Sequence, residues 1–306
     1  MIRFLWLILL MSIALGLGAC ARLGRITPYD LGVELQDSGE LPAAIEQYKE
    51  MLAQYPDHVH ARFNLAVIYH DQQKYQAAKE QYHRILQHSP EHARSLVNLA
   101  DIAMAENDPS RAYLLLLRAV DVEPDRAYPY SYLGRHLHER GRLPEARLAY
   151  EHALAIENDA LTHYRLGMLW LQQGDKTKAA DHFAQAIERD ADDSKSLYEL
   201  AVLSIEAGKT AEAIRYLQRL TRLTPHHAEV FLLLAKLYIQ QREYSTAAVH
   251  LWEARDLQPN APEVERLLLH VYEQLVVKQR EVLQRQPPSQ PTSVPSVAQD
   301  GRQRRR

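Results

Sequence analysis

Residues 64–90 read NLAVIYHDQQKYQAAKEQYHRILQHSP, and residues 98–124 read NLADIAMAENDPSRAYLLLLRAVDVEP. The two align without a gap at a spacing of 34 residues. The same frame extends to seven copies, starting at Arg25, Val59, Ala93, Ala127, Ala160, Ser194 and Ala228. The fourth copy is one residue short, in the turn around Asn158. The seventh position is always leucine: Leu31, Leu65, Leu99, Leu133, Leu166, Leu200 and Leu234. The eighth is glycine or alanine, and the twentieth is alanine throughout, from Ala44 to Ala247. The twenty-fourth is bulky: Tyr48, Tyr82, Leu116, Tyr150, Phe183, Leu217 and Leu251. Self-similarity at such a period marks units that bury their apolar faces only by stacking on neighbours.

Each copy reads as two antiparallel helices. Small residues at the eighth and twentieth positions let the pair approach, and the leucine and bulky residue fill the space between. Pro56, Pro90, Pro124, Pro225 and Pro259 end the second helices, since proline cannot continue one; Asn158 and Ala191 stand where two copies lack it. Asp57, Glu91, Asp125 and Asp159 are the expected caps of the following first helices, with Asn260 serving the last. Residues 262–285 keep a helical period through Val264, Leu267, Leu268, Val271, Leu275 and Val282, and read as a terminal helix that caps the array. The pattern resembles the tetratricopeptide repeat over residues 25–261. The resemblance implies an all-α fold: a right-handed α-solenoid of about seven helix pairs (25–58, 59–92, 93–126, 127–159, 160–193, 194–227 and 228–261) with a C-terminal capping helix.

The N-terminus has a different character. Arg3 precedes FLWLILLMSIALGL, an uncharged run of 14 residues at positions 4–17, and small residues lead to Cys20. That is the layout of a secretory signal peptide, and it is short of the roughly 20 residues of a spanning helix. Cys20 is the only cysteine, so it is a buried small hydrophobe, a reactive thiol or a modification site. Leu17-Gly18-Ala19-Cys20 resembles the lipobox of bacterial lipoproteins. The resemblance implies a signal peptide over 1–19, cleavage before Cys20, a diacylglyceryl thioether on its sulfur that carries palmitate-type acyl chains, and a short tether over 20–24. Ala21, rather than aspartate, after the cysteine implies passage to the outer membrane, facing the periplasm. A cysteine-free remainder suits an oxidising compartment.

The formal charge is −3; Arg3 of the leading segment contributes +1, and residues 286–306, with four arginines and one aspartate, contribute +3, so the body between is about −7. An acidic body argues against nucleic acid as a partner. The tail itself is Pro/Ser/Gln-rich and expected to be disordered; its RQRRR end is either a solvated tail or a contact for lipid phosphates or peptidoglycan carboxylates.

No catalytic residue or cofactor motif stands out: there is no phosphate-binding glycine loop, nucleophile elbow or paired catalytic carboxylate. The chain therefore reads as a non-enzyme. The histidine pairs His58–His60, His136–His138 and His226–His227 lack the spacing and number of a metal site. His58, His92 and His227 share one inter-repeat position, so repetition accounts for them, and no metal or cofactor is expected. In the resembled family, function lies on the concave face lined by the second, fifth, ninth, twelfth and thirteenth positions of the first helices. Repeats three and four put Asp101, Ser131, Arg135, His138 and Glu139 there. Repeats five to seven put Tyr164, Met168, Leu171, Tyr198, Val202, Ile205, Leu232 and Ile239 there, an apolar strip suited to a protein or peptide ligand; alternatively, packing between repeats or the C-terminal helix covers it. Tyr29 and Val33 replace the Lys and Asn of the family's chaperone-tail clamp, which is not carried over.

Together these readings imply a lipid-anchored protein-interaction scaffold of the bacterial envelope that assists pilus or secretion assembly. The alternative is an adaptor or regulatory subunit for a peptidoglycan or exopolysaccharide enzyme. Cys20→Ser is expected to release the protein from membranes in a flotation gradient; unchanged flotation would refute the lipid anchor.

Overall fold

The computed structural model describes residues 27–285; the segment read as a signal peptide, Cys20, the tether and the tail lie outside the described residues. Every regular element within them is an α-helix. Fourteen helices follow in the order of the repeats, two to each: α1 (Pro28–Asp37) and α2 (Leu41–Gln54), α3 (Val59–Asp71) and α4 (Tyr75–His88), α5 (Ala93–Ala105) and α6 (Pro109–Val122), α7 (Ala127–Glu139) and α8 (Leu143–Ile156), α9 (Ala160–Gln172) and α10 (Lys176–Arg189), α11 (Ser194–Glu206) and α12 (Thr210–Leu223), α13 (Ala228–Gln240) and α14 (Tyr244–Leu257). A last helix, α15, runs Pro262–Arg285. No described helix is long and apolar enough to cross a membrane.

The chain forms two compact units, one ending at Gly174 and one beginning at Asp175. In the first, α1–α2, α3–α4, α5–α6 and α7–α8 pack as pairs, each against the next, and α9 packs on α8. In the second, α11–α12 and α13–α14 pair, α10 lies on α11, and α15 lies on α14.

The pairing residues are buried as a class. The alanines of the twentieth position and the bulky residues of the twenty-fourth are all essentially inaccessible. The seventh-position leucines are buried too, except Leu31 at 36% exposure, because no described repeat precedes α1. Gly32 and Gly134 face tyrosine rings so closely that a Cβ would lie 2.7 Å from Tyr48 and 2.6 Å from Tyr150. Two such contacts limit how far either helix of the pair can shift.

The helix ends follow equally local rules. Residues ahead of the prolines leave the helical region, as sterics with the proline ring require; Tyr55 has φ −132° and ψ 82°. Glu157 and Asp190 extend in the same way, with φ −140° and −127°, although no proline follows. The caps differ from the expected ones. Asp57, Glu91 and Asp125 lie one residue too early. The N-cap is the last residue of each repeat, where His58 accepts from the Ala61 N–H and His92 from the Ser95 N–H, while Arg126 donates no side-chain cap. Asp159 does cap, accepting from Thr162, because its repeat is one residue short. Asn260 is likewise not adjacent to a helix start, since α15 begins at Pro262.

Inside each pair, the turn closes through one left-handed residue at the fifteenth position. Glycine supplies it at Gly39, Gly141, Gly174 and Gly208, whereas Gln73, Asn107 and Arg242 hold φ of 59°, 60° and 61°. The next N–H then reaches five residues back, as from Lys74 to the Tyr69 carbonyl at 2.8 Å and from Glu243 to Tyr238 at 2.9 Å, a Schellman closure. A side chain in the left-handed region costs about 1–2 kcal/mol. Gln73→Gly and Arg242→Gly are therefore each expected to raise unfolding free energy by about 0.5–1 kcal/mol, net of glycine's entropy cost, in urea melts. Unchanged or lower midpoints would show that the turns carry no such strain.

Candidate protein-binding faces of the first helices

In the first unit, α5, α7 and α9 bring a polar cluster together. The Arg135 guanidinium pairs with the Asp101 carboxylate. Arg165 Nη1 donates to Ser131 Oγ at 2.7 Å, and that hydroxyl meets Thr162 Oγ1 at 2.8 Å. Both guanidiniums lie 5.0 Å from the centre of the Tyr132 ring. Burial outweighs Arg135 and lifts the Asp101 carboxyl above its usual range. Burial, and then the charge of Arg135, lowers the Arg165 guanidinium. The buried Tyr150 hydroxyl, which feels both arginines, has no hydrogen-bond partner among the described residues. Asp101 pairs with Arg135, and the Asp159 carboxylate also acts on Arg165, so the cluster mixes both signs of charge.

Asp101, Ser131 and Arg135 belong to the expected lining; Arg165 and Tyr132 do not. They stand at the sixth position, which the lining rule omits. The available signal was the arginine itself, at a position filled by Asn64 and Asn98 in earlier repeats. His138 lies apart, against the Gln172 side chain. Tyr164, Met168 and Leu171, on α9, are half-buried.

In the second unit, Tyr198, Val202 and Ile205 on α11 and Leu232 and Ile239 on α13 are half-buried as well. Tyr198, Ile205, Leu232 and Ile239 lean against the unit's core. Tyr198 Oη donates to Glu229 Oε1 at 2.9 Å, and burial together with that carboxylate pushes the phenol up to about 12. These side chains divide between internal packing and solvent, so the strip is narrower than its composition suggests. A separate open cleft of about 460 Å³ lies among α10, α11 and α12, lined by Lys176, Ala180, Leu200, Ser204, Glu206 and Tyr216. None of the expected strip residues lines it.

Models of the tetratricopeptide repeat match residues 69–135, 170–237 and 204–270, and a second model of the repeat matches 29–93 and 134–194. The chain belongs to the tetratricopeptide repeat family. Over 121 residues the chain is 25% identical to Protein CTR9 homolog of Arabidopsis thaliana, covering 38% of this chain and 11% of that protein. The chain thus spans about a tenth of that relative's length. Among solved structures, PilF of Pseudomonas aeruginosa is similar with a TM-score of 0.59 at 20% identity, over 69% of this chain and 97% of that one. PilW, described as a widely conserved type IV pilus biogenesis factor, is similar with a TM-score of 0.57 at 20% identity, over 69% and 98%. At these identities the likeness carries the tetratricopeptide fold.

Two histidines of the tetratricopeptide array cap helices. Among the described residues no three His, Cys, Asp or Glu side chains converge so as to hold a metal ion. His58 and His92 instead cap helices through Nδ1, at 3.0 and 3.2 Å from the backbone N–H. An accepting Nδ1 must be unprotonated, and a cation at a helix N-terminus opposes the dipole. Burial also holds His92, His83, His136 and His250 below the ordinary histidine value of 6.5. The unfolded chain therefore takes up protons first as pH falls through that value, and stability that is complete above it is lost below it. His92→Asn, which keeps a non-titrating cap acceptor, is expected to lose about 1 kcal/mol less stability than the parent between neutral and acidic pH. Identical losses in denaturant melts would remove the His92 cap from the acid response.

Proposed function

We propose that this chain is a protein-binding scaffold, tethered by a lipid on Cys20 to the outer membrane and facing the periplasm, that assists assembly of a pilus or secretion complex. The observation that carries the reading is the set of partly open apolar side chains on α11 and α13, Tyr198, Val202, Ile205, Leu232 and Ile239. Apolar area left on regularly spaced helices suits an amphipathic helix or extended peptide of a partner. Tyr164, Met168 and Leu171 on α9 supply the same chemistry in the first unit. The role of PilW as a pilus biogenesis factor, 98% of whose length is covered, and the lipobox-like run before Cys20 support the envelope setting. The reading assigns no catalytic residue and no cofactor.

In-cell crosslinking of the tagged full chain, followed by mass spectrometry, tests both parts. A secretin or pilus component is the expected capture. Tyr198→Glu/Ile205→Glu is expected to cut that capture at least about tenfold, or about 1.4 kcal/mol, with far-UV helicity and melting midpoint retained. Full capture by the folded variant would move the binding surface elsewhere. Capture of a cell-wall hydrolase, a synthase or an exopolysaccharide enzyme instead would replace the assembly role by that of an enzyme adaptor.

A further inference from the structure

The end of the second unit carries an uncovered apolar face. Helix α15 has 24 residues, against 14 in α14, or about 36 Å against 21 Å at 1.5 Å per residue. One side of it packs on α14 through Val264, Leu268 and Val271. Another side presents Leu269, Tyr272 and Val276 at 66, 42 and 48% exposure. Trp252 of α14 flanks this stripe, donating from Nε1 to Tyr272 Oη at 2.7 Å while itself 39% exposed. Glu265 and Arg280, both exposed, lie on the same face at its two ends, because spacings of four, three, four and four residues follow the helical turn.

We propose that this face is where a second copy of the chain docks, α15 against α15, antiparallel about a two-fold axis between Tyr272 and Glu273. A two-fold interface must be self-complementary, and this register makes it so. Leu269 meets Val276 of the second copy, the two Tyr272 rings sit at the axis, and Glu265 meets Arg280 of the second copy at both ends. A parallel pairing in register would instead set Glu265 against Glu265 and Arg280 against Arg280, a like-charge arrangement that opposes association. The tail of this chain fits the stripe less well: residues 286–306 offer Val294 and Val297 as their only larger aliphatic side chains, and their four arginines would face Arg280.

The register is read directly by disulfide capture, since Cys20 is the chain's only cysteine. Full-length copies carrying Leu269→Cys and Val276→Cys, with different tags, are expressed in the same cells and oxidised mildly. The mixed disulfide dimer is expected to exceed the homotypic dimers of either variant alone. Glu265→Arg in both copies is expected to abolish it, and adding Arg280→Glu to the same chains to restore it. Exposed positions make loss of the fold an unsuitable explanation, and circular dichroism of each variant checks that point. Absence of the mixed species, homotypic Leu269→Cys dimers of equal yield, or no restoration by the double reversal would each overturn the proposal.

Discussion

A Cβ on residue 134 would lie 2.6 Å from the Tyr150 ring, and one on residue 32 would lie 2.7 Å from Tyr48. That contact sets the separation of a helix pair, and much else in each unit is built around it. The volumes compensate across the contact. Glycine at the eighth position faces tyrosine at the twenty-fourth in pairs one and four, while Ala100, Ala201 and Ala235 share their clusters with Leu116, Leu217 and Leu251. The second pair keeps Ala66 with Tyr82, both fully buried, so the rule is one of summed volume with some tolerance for displacement. With the separation fixed, the seventh-position leucine and the twentieth-position alanine have one place to go. The period of the sequence is the period of that packing unit.

These contacts were legible because they recur in phase. An individual glycine or alanine says little, but Ala44 through Ala247 at one position in seven copies says that a helix passes close by. The helix boundaries were less legible at their starts than at their ends. Proline announces an end through sterics that hold in any context. A cap depends on which of two adjacent polar residues turns its acceptor toward the helix. In Asp57-His58 and Glu91-His92 the histidine does so, against the usual preference for aspartate. Asp159 caps because the missing residue of its repeat brings an aspartate into the same final position. Expectation and outcome differ there by the register of one turn, which no propensity encodes.

The candidate binding faces divide along the same line. Asp101, Ser131 and Arg135 were readable from position alone, since the first-helix lining is a geometric consequence of the repeat. Arg165 and Tyr132 were not, because they belong to the sixth position and reach the cluster through long side chains. Reach depends on rotamers and neighbours, and guanidinium groups extend farther than a position rule allows for. The half-buried state of Tyr198, Ile205, Leu232 and Ile239 was equally invisible. Composition identifies an apolar strip, and only the packed unit shows how much of each side chain its own core has already taken.

An array of equivalent pairs has no equivalent ends, and the ends are where periodic reasoning loses its force. Leu31 illustrates this at one end: a residue of the most constant class in the sequence stands partly exposed because no described neighbour precedes it. At the other end α15 stands where a first helix would: Leu268 keeps the seventh-position leucine, while Leu269 fills the small eighth position and Glu281 the alanine of the twentieth. Its inner side satisfies α14 with Val264, Leu268 and Val271, which completes the apolar face of the last pair. An ending that needed only solubility would turn polar on the remaining sides. Helix α15 instead carries Leu269, Tyr272 and Val276 on one line, with opposite charges at its two ends. A helix designed only to terminate has no reason to keep that line; a helix that meets a copy of itself does.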